Sequence, residues 1–545
     1  MLKTNYLVIG SGISGMMAAI NLAESQKEQI ILITKDKLLE SNSYYAQGGI
    51  ASVDPKIKSL KSHIDDTISC GCELSDKDVV KDCVNHFNKE VILPLIKYGV
   101  KFSKKDSKGN FELHQEGGHS EQRIYCVEDH TGKSVMEALL KKLKTFSNIT
   151  ILEHHIAINL ITQNYILKSS FGQNRCLGAY VLNKIERKVI AIKSKYTFLA
   201  TGGAGKIFKF TTNPNVATGD GLAMAFRAGA TLSNMEFYQF HPTVLFEPNT
   251  KLSKKKFLIT EALRGENVGG ILTVSKNSEV DFVLKYDKRG SHATRDIVSQ
   301  AIDSEIKERG LNNIYLNLTN KITKKDDNFL PKNYPTIWKK CLDYGIDIRY
   351  EAIPVISAAH YLCGGIQINN SAETEIKNLY AIGEVTNSGL MGANRLASNS
   401  LPEAAYFARV ATRDAISKID DYIEPKIKIP IWDSSYVSDK LDHSTMNQFW
   451  DSLRSIMTNL CGLERNSQRL ELAKHITSAL SNAADRIYKN FFPEKEVIEL
   501  RNLTLVAFLV TKSAYKRRES RGVHFRSDYP IPNKTLSIPS LIKRK

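Results

Sequence analysis

The chain has 545 residues, 42% of them hydrophobic and 24% charged, the proportions of a folded globular protein, and it is too long for a single core, so about two or three domains are expected. No apolar run approaches the ~20 residues of a membrane span, and the N-terminus enters a strand pattern with no signal-peptide pattern before it, so no membrane association and a cytoplasmic location are expected. The net charge of +17 is spread along the chain, with small clusters at Lys254-Lys255-Lys256, Lys516-Arg517-Arg518 and Lys543-Arg544-Lys545 and no aromatic-interleaved basic module, so a nucleic-acid partner is not expected.

The chain opens on an apolar strand, Tyr6-Leu7-Val8-Ile9, that runs into Gly10, Gly12 and Gly15 and then into an apolar helical pattern. That is the order of a dinucleotide fingerprint. The first glycine permits a tight turn, the second lets backbone N–H groups around Ser11 and Ser14 approach a pyrophosphate, and the third lets the helix pack closely on the strand. An acid is expected about 20 residues on to hold a ribose. The second strand, ending at Ile33, leads instead to Thr34-Lys35; Lys35 suits an adenosine and its phosphates, and Asp36 is a substitute acid. In Ser41 to Ala51, the run Ala46-Gln47-Gly48-Gly49 lets backbone amides approach a planar ring.

This last segment resembles the flavin-contacting loop of the succinate dehydrogenase, fumarate reductase and L-aspartate oxidase flavoproteins. In the first two, a histidine five residues before the glutamine carries flavin covalently. Asn42 stands there in this sequence, so the resemblance implies FAD held without a covalent bond. Of the eight cysteines, Cys70 and Cys72 form a fragment too short for a metal site, and the set as a whole suits reduced thiols. Asp76 to Gly99 reads as one helix, followed by a polar turn, Ser103 to Asn110. On its residues alone, His114-Gln115-Glu116-Gly117-Gly118-His119-Ser120 is a ligand loop or a surface turn. It looks like the Glu-Gly-Gly-His-Ser segment of the L-aspartate oxidase branch, and in dicarboxylate reductases the position of Glu116 is generally uncharged.

Strands around Ile149–Leu152 and Leu177–Leu182 lead into Tyr196 to Gly205, where an apolar strand ends in Thr201-Gly202-Gly203 and resembles the second FAD contact of two-dinucleotide-type flavoproteins. Asp220 opens an Ala-rich helix. From Glu236 the character changes: Phe240-His241-Pro242-Thr243, the segment Leu258 to Glu266, and Arg289 to Val298 all resemble the family's capping domain. Alone, His241 reads as a structural histidine and Arg295 as an ion-pair residue at a helix start; their joint occurrence in family order reverses that. The resemblance extends the substrate contacts to Gln239, Thr260 and Glu261. The flavin domain resumes through Ile353 to Ile366, with His360, and through a strand ending in Gly383-Glu384, whose carboxylate can accept from ribityl hydroxyls. The most specific motif, Gly392-Ala393-Asn394-Arg395-Leu396-Ala397-Ser398-Asn399-Ser400-Leu401, matches the family without a gap. Met391 and Pro402 depart from the common pattern and are not expected to carry chemistry.

A linker with little periodicity is expected over about Asp420 to Lys440. Beyond it, Phe449, Leu453, Ile456, Met457 and Leu460 share a helical face and Val497 to Val510 is a second helix. His524 and Arg526, in a stretch resembling the family's closing motif, read as structural. The expected fold is α/β: a Rossmann-like FAD-binding domain (1–235 and 350–419), an inserted α+β capping domain (236–349) and a C-terminal helical domain (441–545).

The resemblance implies oxidation of L-aspartate to iminoaspartate with reduction of FAD, the first step of de novo NAD biosynthesis, with oxygen or fumarate reoxidising the flavin and quinolinate synthase as a functional partner. A fumarate reductase or succinate dehydrogenase-like flavoprotein is the alternative, opposed by Asn42 and Glu116. The residue types fit independently: a dicarboxylate in a poorly hydrated site needs cationic and donor partners, which Arg395, His241, His360 and Thr260 can supply. Arg295 matches the arginine assigned as proton donor in fumarate reduction; for amine oxidation its expected part is orientation and proton handling. Glu116 is expected to address the substrate amine.

Overall fold

The computed structural model describes residues 1–544 except 26, 56–58, 107–108, 170–171, 248–256, 266, 434–436 and 438–441. The cluster Lys254-Lys255-Lys256, Glu266, Lys545 and parts of the Ser103–Asn110 turn and the 420–440 linker lie outside the described residues. Strand β1 (Leu2–Ile9) starts exposed and ends in Tyr6-Leu7-Val8-Ile9, buried on both faces, as a central parallel strand covered on each side must be. The chain continues through α1 (Ile13–Ser25), β2 (Ile30–Ile33), β3 (Ile149–Leu152), β4 (His155–Thr162), β5 (Cys176–Asn183) and β6 (Lys188–Leu199). These strands form one sheet in the order β3-β2-β1-β6-β5-β4. The pairs from β3 to β6 are parallel, and β5 and β4 follow as antiparallel neighbours. Helix α2 (Asp220–Ala228) leads out of this layer.

A second, antiparallel sheet follows, built from β7 (Tyr238–Leu245), β8 (Ile271–Thr273), β9 (Ile314–Asn317) and β10 (Ile353–Leu362) in the order β7-β10-β9-β8. It packs with α3 (Arg295–Arg309) around its own core, including Leu263, Leu272, Val298, Ile302, Ile314 and Ile337. The pairing of β7 with β10 slips twice. Gln239 faces Tyr361 and Phe240 faces Ala359, which leaves His360 as an extra residue; the second slip falls between His241 and Val244, across Pro242. Bulges re-aim side chains next to sites, and a strand tolerates proline at such a break because no ladder N–H is needed there. The chain then returns through β11 (Leu379–Ala381), which lies parallel beside β6, and through α4 (Ser400–Ser417), which packs on α1.

One expectation is corrected. The stretch Asp76 to Gly99 is not one regular helix. An α-helix (Lys77–Phe87) capped by Asp76 gives way to a π-turn at Asn88–Ile92 before a short helix, Leu93–Lys97. Pro94 has no N–H to continue the ladder and its ring crowds the carbonyl four residues back, so the wider turn accommodates it. The described part of the 420–440 linker has no regular secondary structure, and it packs on the first sheet. Ile427, Ile429 and Trp432 pack on Ile161, Leu177 and Tyr180 of β4 and β5, and Tyr180 donates to the Pro430 carbonyl at 2.8 Å. Alternating isoleucines give this coil an inward edge.

The C-terminal helices α5 (His443–Leu460), α6 (Ser467–Asn490) and α7 (Lys495–Lys516) pack together and against the first sheet. The segment after α7 is fastened by buried charge. Arg517 donates to Glu236 and, at 2.7 Å, to Glu519, while Arg521 joins Glu519 at 3.0 Å and Glu73 at 2.8 Å. His524 meets Arg465 at 2.6 Å, and Arg526 pairs with Asp528 at 2.7 Å. Removing one partner of such a network strands the others. Arg517→Ala is therefore expected to cost about 3–5 kcal/mol of stability, read as a lower midpoint in chemical unfolding; an unchanged midpoint would show that the network adds nothing.

Candidate active site

A cleft of about 410 Å³ opens where β1, β2 and β6 end, between them and the bulged strands β7 and β10. Ligands of open α/β sheets sit at this end of the strands. Gly10 has φ +113°, and a Cβ there would overlap the Ala200 carbonyl; a Cβ on Gly15 would overlap the Gly10 carbonyl. Those two glycines bring turn, helix and sheet together. Near a Cβ on Gly12 the protein offers only Ser43 Oγ at 3.4 Å, so this part of the turn faces the cleft. Ser11 Oγ is bonded to Thr34 Oγ1 (3.0 Å) and the Leu38 carbonyl (2.8 Å), and Ile13 N–H donates to Ser43 Oγ at 3.1 Å, drawing the Ser41–Ala51 loop against the start of α1. Ser14, Ala46, Gly48, Gly49, Gly202, Gly203 and Leu401 also line the wall.

Asn42 Nδ2 donates to Glu384 Oε2 at 3.1 Å and Leu362 N–H to Glu384 Oε1 at 3.2 Å. Burial, opposed by these donors, pushes the Glu384 carboxyl up to about 7. Asn42 Oδ1, Gln47 Oε1 and Thr201 Oγ1 are buried on the same wall with no partner in the protein. Unmatched buried polar atoms are costly, and these three, with the open turn at the start of α1, fit the polar edges and pyrophosphate of a flavin dinucleotide. An amide at position 42 has no ring nitrogen to alkylate, which suits a cofactor held without a covalent bond.

At the adenosine end the expectations for Lys35 and Asp36 are revised. Lys35 Nζ donates to Asp220 (2.7 Å), to Glu499 of α7 (2.9 Å) and to Thr218. An ammonium has three hydrogens, and all three are spent on the protein. Burial disfavours the charge, but the two carboxylates outweigh it and hold the pKa of Lys35 above its ordinary value. Asp220 also takes Asn502 Nδ2 at 2.8 Å, so Lys35 and Asp220 clamp α7 to the cleft wall. Asp36 accepts from the neighbouring Lys37 N–H at 2.9 Å; the acid after β2 that lines the cleft is Glu40.

The other end of the cleft gathers the polar residues of the second sheet with Arg395. Gln239 Oε1 accepts from Arg295 Nη1 (3.3 Å) and from Arg395 Nε and Nη2 (3.3 and 3.2 Å), bridging the two guanidiniums from behind the wall. Arg395 also donates to Ser400 Oγ at 2.9 Å and lies 4.8 Å over the Tyr361 ring. Arg295 pairs with Glu261 Oε2 at 2.7 Å, and Arg264 stands 3.8 Å from the same oxygen. Burial lowers the pKa of Arg395, and Arg295 adds to that. For Glu261 burial acts upward, yet Arg295 and Arg264 outweigh it and the carboxyl stays ionised. Glu116 goes the other way: burial, then Glu261, push its pKa up, against Arg295 and a 2.5 Å hydrogen bond from Ser398 Oγ. His241 and His360 stand 5.4 Å apart, both held neutral by burial and by the arginines. Thr243 N–H donates to His241 Nδ1 at 3.3 Å, so the ring hydrogen is on Nε2; His360 Nδ1 meets Thr212 Oγ1 at 2.8 Å. Thr260 lines the wall and caps the short turn that carries Glu261.

Of the site residues named from sequence, Gly15, Asp36, Gln239 and Glu261 do not line the wall and the rest do. Sequence reasoning missed Arg264, Tyr361 and Ser398. Arg264 lies three residues after Glu261, and Tyr361 and Ser398 sit beside or inside the motifs, but only the tertiary fold shows what they touch. Gly12→Ala should keep the apoprotein fold, because its Cβ meets little protein, and lose flavin; Gly15→Ala should lose both. Circular dichroism and bound-flavin absorbance separate the two, and a Gly12→Ala protein with full flavin would remove that turn from the cofactor site.

Residues 5–401 match the FAD binding domain model and residues 450–535 the fumarate reductase flavoprotein C-terminal model. The chain is 41% identical over 530 residues to L-aspartate oxidase of Pseudomonas aeruginosa, covering 96% of this chain and 95% of that one. To the Acinetobacter baylyi L-aspartate oxidase it is 42% identical over 525 residues, covering 96% and 93%. Among solved structures, a variant of E. coli quinol fumarate reductase FrdA superposes with a TM-score of 0.87 at 26% identity, covering 100% of this chain and 96% of that one. The two-sheet architecture, the flavin cradle and these likenesses together place the chain in the L-aspartate oxidase family of FAD-dependent flavoproteins.

Proposed function

We propose that this chain oxidises L-aspartate to iminoaspartate, the first step of de novo NAD biosynthesis, and that oxygen or fumarate reoxidises its FAD. The observation that carries the reading is the pair of guanidiniums, Arg295 and Arg395, that line one end of the cleft. Glu261, ionised beside Arg295 and Arg264, stands behind that wall and holds Arg295 in place. The two cations on the wall match the two carboxylates of aspartate. Glu116 is a further carboxyl set among them, suited to the ammonium.

Each side chain then has a task. Arg395 and Arg295 pair with the substrate carboxylates, which would be costly to bury unmatched. His241 donates through Nε2 and Thr260 through its hydroxyl, while His360 closes the same wall. Glu261 fixes the Arg295 guanidinium, and Gln239 sets its spacing from Arg395. FAD, when bound, supplies the acceptor for the two electrons that leave Cα with its hydrogen. Glu116 holds the ammonium and accepts the nitrogen proton, so that the C=N bond forms as the Cα–H bond breaks; its raised pKa makes it a better base. A plain dicarboxylate reductase needs no such carboxyl. The imine product makes quinolinate synthase the natural consumer. No helix among the described residues is long and apolar enough to cross a membrane, and a cytoplasmic location belongs to this proposal.

Arg395→Ala and Arg295→Ala should each retain flavin and lose about 2–5 kcal/mol in kcat/KM for L-aspartate, followed as hydrogen peroxide with oxygen as acceptor. Normal kinetics in either variant would take that residue out of the site. Glu116→Gln should slow aspartate oxidation by about 10- to 100-fold. In the parent enzyme aspartate oxidation should climb with pH through the raised pKa of Glu116, since the ionised form is the base; in Glu116→Gln this limb should vanish. A limb that survives belongs to another group.

A further inference from the structure

Behind Glu116 lies a buried polar network that the steps above do not use. Arg123, 1% exposed, donates through Nη1 to Asp66 Oδ2 (2.6 Å) and His119 Nδ1 (2.9 Å), and through Nη2 to Ser62 Oγ (3.0 Å) and Ser120 Oγ (3.3 Å). A guanidinium can only donate. His119 Nδ1 therefore presents its lone pair, the ring hydrogen sits on Nε2, and that nitrogen donates to the Ala397 carbonyl at 2.9 Å. Burial, with the Arg123 charge in support, lowers the His119 pKa to about 4, so the ring stays neutral. Asp66 fixes the same loop from the other side, accepting from Ser120 N–H and Oγ at 2.8 Å each.

The carbonyl that receives His119 belongs to the segment joining Arg395 to Ser400. Within it, Ser398 Oγ donates to Glu116 Oε2 at 2.5 Å, and the Ser398 carbonyl accepts from Ala51 N–H at 3.0 Å. Asn399 Oδ1 accepts from His63 Nε2 at 2.9 Å. The loop carrying Glu116 and the segment following Arg395 thus touch twice, once at Glu116 itself and once through His119.

We propose that His119 and Arg123 are positioning residues for substrate selection. Arg123 fixes the tautomer with which His119 ties the Glu116 loop to Ala397, and this holds the Glu116 carboxyl at a set offset from the Arg395 guanidinium. The proposal rests on the assignment of Glu116 to the amine. Its consequence is selective: aspartate needs Glu116 and Arg395 at the right separation, whereas fumarate has no amine and needs only the arginines.

The test compares kcat/KM for L-aspartate oxidation with that for fumarate reduction by the pre-reduced holoenzyme. His119→Leu should lower the aspartate value about 10-fold relative to the fumarate value. His119→Gln, whose side-chain amide restores an N–H toward Ala397, should bring the ratio back, and adding His119→Leu to Glu116→Gln should shift it no further. A flavin-loaded His119→Leu enzyme that loses both activities equally, or whose ratio is unchanged, overturns the proposal. If His119→Leu fails to hold flavin, Arg123→Lys gives the same readout, because it keeps a cation against Asp66 but loses the planar fork: a shifted ratio supports the proposal and an unshifted one overturns it. If Glu116→Gln alone leaves the ratio unchanged, the fault lies in the Glu116 assignment and the proposal falls with it.

Discussion

The rest of the molecule is arranged around two arginines that come from different parts of the chain and are bridged by one glutamine. Arg295 starts α3 in the inserted sheet's layer, Arg395 lies buried in the loop before α4, and both donate to Gln239 Oε1. Like charges brought this close out of water repel, and they stay together only where each has compensation. Glu261 and Gln239 supply it for Arg295; Ser400, the Tyr361 ring and Gln239 supply it for Arg395. A surplus of positive charge remains, and an anionic substrate relieves it. On the proposed reading, this is what suits the cleft to a dicarboxylate before any finer recognition operates.

Holding that arrangement needs the two sheets in register with each other. The bulges in β7 and β10 do this locally, since they break the ladder where His241 and His360 must face the cleft. The C-terminal helices do it from outside. Glu499 reaches from α7 to Lys35 beside the dinucleotide turn, and Arg517 reaches back to Glu236 at the entry to β7. The C-terminal helices and the segment after them are thus tied by buried ion pairs to the dinucleotide turn and to the entry of β7.

Much of this was legible in the residues. The strand-glycine-helix opening, the Thr-Gly-Gly strand end and the unbroken Gly392 to Leu401 motif each carry a backbone requirement that few residues satisfy, so they mark positions as well as type. The polar site was legible as a set of residue types and illegible as contacts. Nothing local in the sequence says that Lys35 would spend its hydrogens on Asp220 and Glu499, the latter hundreds of positions away, or that Pro94 would be accommodated by a π-turn. Ser398 was missed for the same reason: its meaning lies in Glu116, which only folding brings to it. Arg264 sits one short turn from Glu261, but the Arg295 that shares that carboxylate comes from elsewhere in the chain.

The central claim is that a buried positive surplus accepts a dicarboxylate while Glu116 selects the one bearing an amine. Anaerobic titration of the oxidised holoenzyme, followed by flavin absorbance, tests it directly with L-aspartate and succinate as matched reductants. The account predicts bleaching of the flavin by L-aspartate and little or none by succinate at equal concentration, with that preference reduced in Glu116→Gln. Equal bleaching by both, or a preference for succinate, would contradict it.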